Sequence, residues 1–320
     1  MQALDNGSAG TEPARPRSLC DNCGTALQGR YCHRCGQPRK SFIRALPGLI
    51  GDLAAETLYY DSRMWRTLKC LLLQPGFLSS EYVQGRRARY TPPVRLYLVA
   101  SILAFLVVSF VVGTVDYSQA NAELGEAEVN VLHFGTQPWH PEDNPVQIGW
   151  LGDGANAWLN RQLGLMETNT REAARNPARL VRTAAGMLPQ TMFVILPLFS
   201  AWVGVFYLFA KRYYIEHLLL QVHNHTFVFL SLVALYLIAL LRDLLADATF
   251  IGHGLGSALL YWIGAAIWLW IPIYVLISQK RFYRQGWPLT LGKYLVLGAS
   301  YFLMLLFCLV AVVLLGIWRL

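Results

Sequence analysis

Charge is what this sequence has little of. Asp, Glu, Lys and Arg make up 14% of its 320 residues and hydrophobic residues 55%, against about 25% charged in a soluble domain. The scarcity is uneven. Charges gather in the first 95 residues and in a few short segments, with long uncharged runs between them. A soluble core does not need such runs, whereas a bilayer does. A secreted disulfide framework is also missing: four of the six cysteines are packed between Cys20 and Cys35, Cys70 and Cys308 stand alone, and no signal peptide is evident.

Five segments are long and apolar enough to span: 94–113, 191–210, 218–241, 257–277 and 294–317. Each approaches or exceeds the roughly 20 residues that cross a hydrocarbon core, where helices satisfy the backbone internally. Pro197 and Pro272 fall inside the second and fourth spans, where kinks are expected. The fold class is therefore an all-α polytopic membrane protein of five transmembrane helices with a small N-terminal zinc ribbon.

Lysine and arginine set the orientation. With the N-terminus in the cytoplasm, 20 of the 27 basic residues fall on the inner side, and 11 of the 19 acidic residues fall on the outer side. The C-terminus is then outside. Residues 1–18 read as a disordered lead, 19–40 as the ribbon, 41–93 as an amphipathic membrane-proximal segment and 94–320 as the bundle, with an outer loop at 114–190. Leu46, Leu49, Ile50, Leu53 and Leu58 recur at near-helical spacing, and Met64, Trp65, Leu68 and Leu71 to Leu73 form a second apolar stretch ending at Pro75-Gly76. Such lengths lie on a membrane or pack against the bundle, since they are too short to span. In the outer loop, Asn176-Pro177 reads as an N-cap and first helical position, so two helices meet there. Trp139, Trp150, Trp158, Tyr283, Trp287 and Trp318 read as interfacial aromatics, and Trp262, Trp268 and Trp270 as packing residues within span four.

The strongest chemical signal is Cys20-x-x-Cys23, eight residues, then Cys32-x-x-Cys35. Two such pairs can bring four thiolates to one tetrahedral zinc ion. Gly24 and Gly36 follow the second cysteine of each pair, where a tight turn offering amide protons to sulfur suits glycine. Four protein ligands leave no open position, so the zinc is structural and the module needs it to fold. Basic residues surround the ribbon (Arg30, Arg34, Arg39, Lys40, Arg44). Beside a membrane they are explained by protein or lipid-surface contact rather than by nucleic acid. Arg86, Arg87 and Arg89 form a basic collar before span one, as the positive-inside rule demands.

A second candidate polar site is Glu216-His217 with His223 and His225, at the cytoplasmic end of span three. Ionisable groups at a membrane boundary motivate a functional hypothesis. Helical geometry argues against one shared metal: Glu216 and His223 lie about 10.5 Å apart along an axis rising 1.5 Å per residue, and His223 and His225 point nearly oppositely.

Three motifs together resemble a family of uncharacterised bacterial membrane proteins, domain of unknown function 3667. They are the ribbon ending Cys35-Gly36-Gln37; the stretch with Asp61, Arg63, Thr67, Leu68, Pro75, Gly76, Tyr82, Gly85, Arg86, Arg89, Tyr90 and Pro93; and the Tyr214, Glu216, His217, His223, His225, Phe227 pattern. The resemblance implies a membrane bundle, a ribbon and a bacterial inner membrane, and assigns no activity. The expected function is a non-enzymatic adaptor or regulator whose ribbon meets a cytoplasmic protein, with a homo-oligomer left open. A small transporter is the first alternative, although the spans hold no Asp, Glu or Lys and show no inverted repeat. A metal-dependent membrane enzyme built on Glu216 and the histidines is the second.

Overall fold

The computed structural model describes residues 19–39, 62–117, 133–134, 137–140, 143–246 and 253–318. The lead at 1–18 and the leucine repeat at 46–58 lie outside the described residues. Among the described residues, eight α-helices follow the ribbon in chain order: α1 Ser62–Leu73, α2 Phe77–Val83, α3 Pro93–Thr114, α4 Asp153–Arg175, α5 Pro177–Phe206, α6 Tyr214–Ala246, α7 His253–Tyr283 and α8 Trp287–Trp318. Five of them, α3 and α5 to α8, are long and apolar enough to cross a membrane. The chain is a multi-pass α-helical membrane protein.

Local chemistry sets the helix ends. Pro93 and Pro177 stand at the first turns of α3 and α5, where a missing N–H costs nothing and the fixed φ is already helical. The Asn176 side chain caps α5 by accepting from the Arg179 amide at 3.2 Å, so α4 and α5 are separate helices. Between α1 and α2 the chain turns at Gly76, which has φ of 69°. A Cβ there would stand 2.7 Å from the backbone oxygen of Ser278.

α6 is the central element. Its Phe227 joins a buried cluster with Leu71, Leu78, Tyr82, Leu96 and Tyr274. Its Leu220 joins a second with Phe199, Val203, Tyr207, Phe282 and Leu297. Its Val222 and Phe229 join a third with Tyr97, Ala100, Ala104 and Leu196. Its buried faces meet protein on several sides, which is why the stretch can be uncharged without being lipid-facing throughout. Helices α1 and α2 form a cap on its N-terminal end: Leu71, Leu78 and Tyr82 are buried there, while Trp65 and Leu73 stay exposed.

Elsewhere the outward face is apolar, with Phe209 98% and Leu255 81% exposed. In water such a surface would be unstable; in a bilayer it is solvated by lipid. Trp262 and Trp268 belong to this face, which corrects their reading as packing residues. Large residues at the centre of a span can face acyl chains as well as neighbours. Two other aromatics are also corrected. Trp139 is buried, its Nε1 donating to Asn160 Oδ1 at 3.1 Å, and with Asn156 and Asn160 it organises a folded module on α4. Tyr283 is buried in the bundle.

Candidate functional site

The ribbon is two copies of one knuckle. The Cys20 amide donates to Thr25 O and the Cys32 amide to Gln37 O, both at 2.9 Å. Gly24 and Gly36 take φ of 72° and 70°, a conformation that costs a Cβ-bearing residue about 1–2 kcal/mol. Their amides bond to the carbonyls of Cys20 and Cys32 at 2.8 Å. The glycine protons thus close the turns on carbonyls, which corrects the expectation that they point at sulfur. Leu19 and Tyr31 occupy matching positions, one bridging to Ala26 and the other to Pro38. Both are exposed.

The four Sγ atoms lie within 4.8 Å of one another, with Cys20 to Cys35 at 3.6 Å and Cys23 to Cys32 at 3.5 Å. All four are free thiols. Among the described residues they are the one group of His, Cys, Asp and Glu whose ligand atoms converge. They could hold a metal ion. Their environments differ: burial pushes the Cys20 thiol up to about 11, and the Thr25 hydroxyl beside the sulfur holds Cys23 down at about 6.

The cysteine cluster is tied to the cap by Gln37. This buried side chain donates from Nε2 to Gly85 O at 2.7 Å, and its Oε1 accepts from the amides of Arg87 and Ala88 at 3.2 and 3.3 Å. Gly85 has φ of 83°, and a Cβ there would meet Asp21 Cβ at 2.7 Å. The three collar arginines diverge from this loop. Arg86 pairs with Glu81. Arg87 is half-buried, and burial lowers its pKa. Arg89 is exposed. The three side chains therefore have different surroundings.

The structure does not bring Glu216, His217, His223 and His225 together. Glu216 accepts from Arg212 at 2.8 Å. His217 Nδ1 meets the Tyr283 hydroxyl at 2.6 Å, and Tyr283 stacks on Tyr207 with centroids 3.5 Å apart. Gln279 donates to the Tyr207 hydroxyl at 2.9 Å. His223 faces the cap: its Nδ1 meets Ser79 Oγ at 2.9 Å, and its ring lies against Tyr82. His223 Nε2 is buried with no partner among the described residues. His225 faces the other way, with Nδ1 donating to Gln221 O at 2.8 Å. Its Nε2 then accepts from the Tyr301 hydroxyl at 2.9 Å, because a neutral imidazole donating at one nitrogen accepts at the other.

On the His225 side, α5 to α8 enclose a cavity of about 340 Å³. Its walls are mainly aliphatic and aromatic, with polar groups from Gln221, Asn224, His225, Gln279 and Tyr301. Asn224 accepts from Ser278 Oγ at 2.8 Å. Sequence reasoning missed Ser278, Gln279, Tyr207 and Tyr301. Ser278 and Gln279 fall just past the predicted end of span four, and α7 continues to Tyr283. Gln37 was legible only as part of a motif.

No curated protein and no solved structure matches the chain. Residues 61–105 match the model of a family described as Protein of unknown function (DUF3667). That stretch is the cap, the Gly85 loop and the first half of α3, which is the platform the ribbon sits on. Over this platform the chain is similar to an uncharacterised family.

Proposed function

We propose that this chain is a multi-pass protein of a bacterial cytoplasmic membrane, with its N-terminus in the cytoplasm and its C-terminus outside. In this reading it acts as a non-enzymatic adaptor or regulator through a structural zinc ribbon. The single observation that carries it is the Gln37 contact. A closed metal module is held on the membrane-embedded body by three hydrogen bonds from one buried side chain, so it presents a fixed surface rather than a tethered one. Zinc suits the donors: bonds of about 2.3 Å in a tetrahedron place sulfurs about 3.8 Å apart, close to the separations in the ribbon. Cys20, Cys23, Cys32 and Cys35 would hold it, and four thiolates leave no site for substrate.

The partner is a cytoplasmic protein that meets the exposed Leu19 and Tyr31. The test is affinity purification of the intact chain beside a Leu19→Ser/Tyr31→Ser variant that retains its metal. Loss of specific cytoplasmic proteins supports the reading, and an identical set overturns it. Reporter fusions in the 211–213 and 247–252 connections test the orientation. The first should report cytoplasm and the second the outer side.

The cavity favours a second reading, a small permease. Amide side chains at membrane depth inside an apolar chamber are the usual furniture of a ligand site. Proteoliposome uptake decides between the two, since an adaptor carries no flux.

A further inference from the structure

The cavity beside His225 is a chamber in the cap-side half of the bundle. Its lining on α6 runs from Leu220 to Val228 and on α8 from Tyr294 to Tyr301. At 1.5 Å per residue these stretches lie about 9 to 21 Å from the starts of the two helices. That depth is well inside a hydrocarbon core of about 30 Å. Phe199, Leu220, Val228, Ile271, Val275 and Leu297 give it apolar walls. Two of its lining residues, Pro272 on α7 and Gly298 on α8, are exposed on the outward face. The Tyr294 hydroxyl joins these two helices by donating to Pro272 O at 3.0 Å. One turn further along α8, a Cβ added at Gly298 would meet nothing within 4 Å. The chamber therefore opens sideways between α7 and α8, onto lipid.

Inside, three carboxamide side chains keep hydrogen-bonding capacity that no described residue uses. Gln221 is 7% exposed, and its side-chain amide has no hydrogen-bond partner among the described residues. Asn224 is 4% exposed; its Oδ1 accepts from Ser278, and its Nδ2 protons find no acceptor among the described residues. Gln279 donates from Nε2 to the Tyr207 hydroxyl, which leaves its Oε1 open. His225 and Tyr301, by contrast, satisfy each other. The open groups are donors and acceptors together, and leaving them bare among apolar walls costs free energy. Carboxamides match an uncharged head that accepts and donates at once, as a hydroxyl does. Water alone would not suit the rest of the chamber, whose walls are apolar and whose mouth opens on hydrocarbon.

We propose that this chamber binds a neutral amphiphile taken from the bilayer. Its uncharged head, bearing hydroxyl or ester groups, sits on Gln221, Asn224 and Gln279, and its aliphatic chain leaves past Gly298 into lipid. A volume of about 340 Å³ falls within the usual range of small-molecule sites. The proposal rests on the second reading above only in taking the cavity as a ligand site, and it needs no transport. Binding without uptake in proteoliposomes would end the permease reading and leave this site standing.

The probe is a monoacylglycerol with a diazirine in its acyl chain, at trace level in phosphatidylcholine nanodiscs that hold the intact chain. After irradiation, labelled peptides are mapped by mass spectrometry. A probe with the same chain and a sulfate head is the control. Two variants accompany them. Gly298→Leu fills the mouth at a position where an added side chain has room, so the fold is kept. Gln221→Met keeps the length of the side chain and removes both of its hydrogen-bonding groups. The monoacylglycerol should label the lining at 271–275 and 297–301 about tenfold more than the sulfate does, since the sulfate would carry charge into the chamber. Gly298→Leu should lower this labelling on the order of tenfold, as overpacking does. Gln221→Met should lower it about fivefold, the worth of one neutral hydrogen bond. Labelling unchanged by both variants overturns the proposal, as does equal labelling by the two heads. Loss in one variant alone also overturns it, because either the head or the mouth would then play no part.

Discussion

Gln37 and Gly85 are 48 residues apart in sequence and 2.7 Å apart through a side-chain amide and a backbone carbonyl. The same glutamine collects the amides of Arg87 and Ala88. One residue therefore satisfies three backbone groups of a loop that belongs to the cap. A buried polar group left without its partner costs about 1–3 kcal/mol. Gln37→Ala should therefore raise the frequency of ribbon undocking about five- to 150-fold. Hydrogen exchange of residues 19–39 in the intact chain measures it, with metal content unchanged. Exchange as slow as in the native chain would mean that other contacts hold the ribbon.

Glycines at two kinds of position should separate backbone strain from steric exclusion. Gly24 has φ of 72° with nothing within 4 Å of an added Cβ, whereas Gly76 has φ of 69° with the Ser278 backbone at 2.7 Å. Gly24→Ala should cost only the left-handed penalty of about 1–2 kcal/mol. Gly76→Ala must in addition push α2 off α7, and no flexible side chain can yield there. Thermal midpoints in detergent should fall clearly further for Gly76→Ala. Equal losses would mean that the α1–α2 turn can move away from Ser278.

The parts of this architecture that were legible in the sequence are those written in local chemistry. Bilayer thickness demands uncharged runs, and Asn176-Pro177 encodes a cap. Cysteine pairs encode their own proximity, because each pair shares one turn. The rest depended on long-range pairing. Ser79 with His223, Gln279 with Tyr207 and Gln37 with Gly85 are polar residues whose partners sit on other elements, and no periodicity reports them. Composition also misjudged Trp262 and Trp268, since in a membrane an aromatic residue at mid-span is equally at home facing lipid. The opposed directions of His223 and His225 did follow from 100° per residue, and the structure shows one on the cap side and the other on the cavity side.

Metal loading should depend on pH through the thiols. Cys23 is held at about 6 by the Thr25 hydroxyl, so above that pH it offers a thiolate without losing a proton. Cys20 is raised to about 11 by burial, so binding metal must expel its proton at any pH below that. Proton release favours binding as pH rises. Between about pH 6 and 11 the apparent affinity should therefore climb at least tenfold per pH unit from Cys20 alone, and fall as pH drops. Chelator competition at several pH values measures the slope. A flat profile across that window would mean that Cys20 is already ionised in the metal-free ribbon.

The histidines of α6 should affect stability without affecting metal content. Their ligand atoms point to three places: His217 to Tyr283, His223 to Ser79 and His225 to Tyr301. Elemental analysis should find one metal per chain in the native protein and in each His→Ala variant, and none in Cys20→Ser/Cys35→Ser. Stability should divide the histidines further. His223→Ala strands the buried Ser79 hydroxyl between cap and bundle, at a cost of about 1–3 kcal/mol. That loss should loosen α2 and with it the Gly85 loop that carries the ribbon, so exchange of residues 19–39 should quicken. His225→Ala acts on the cavity side and should leave ribbon exchange as it was. The contrast is the test: equal acceleration in both variants would mean that α6 transmits disorder as a whole, whereas a second metal lost with any histidine would revive catalysis at this end of the bundle.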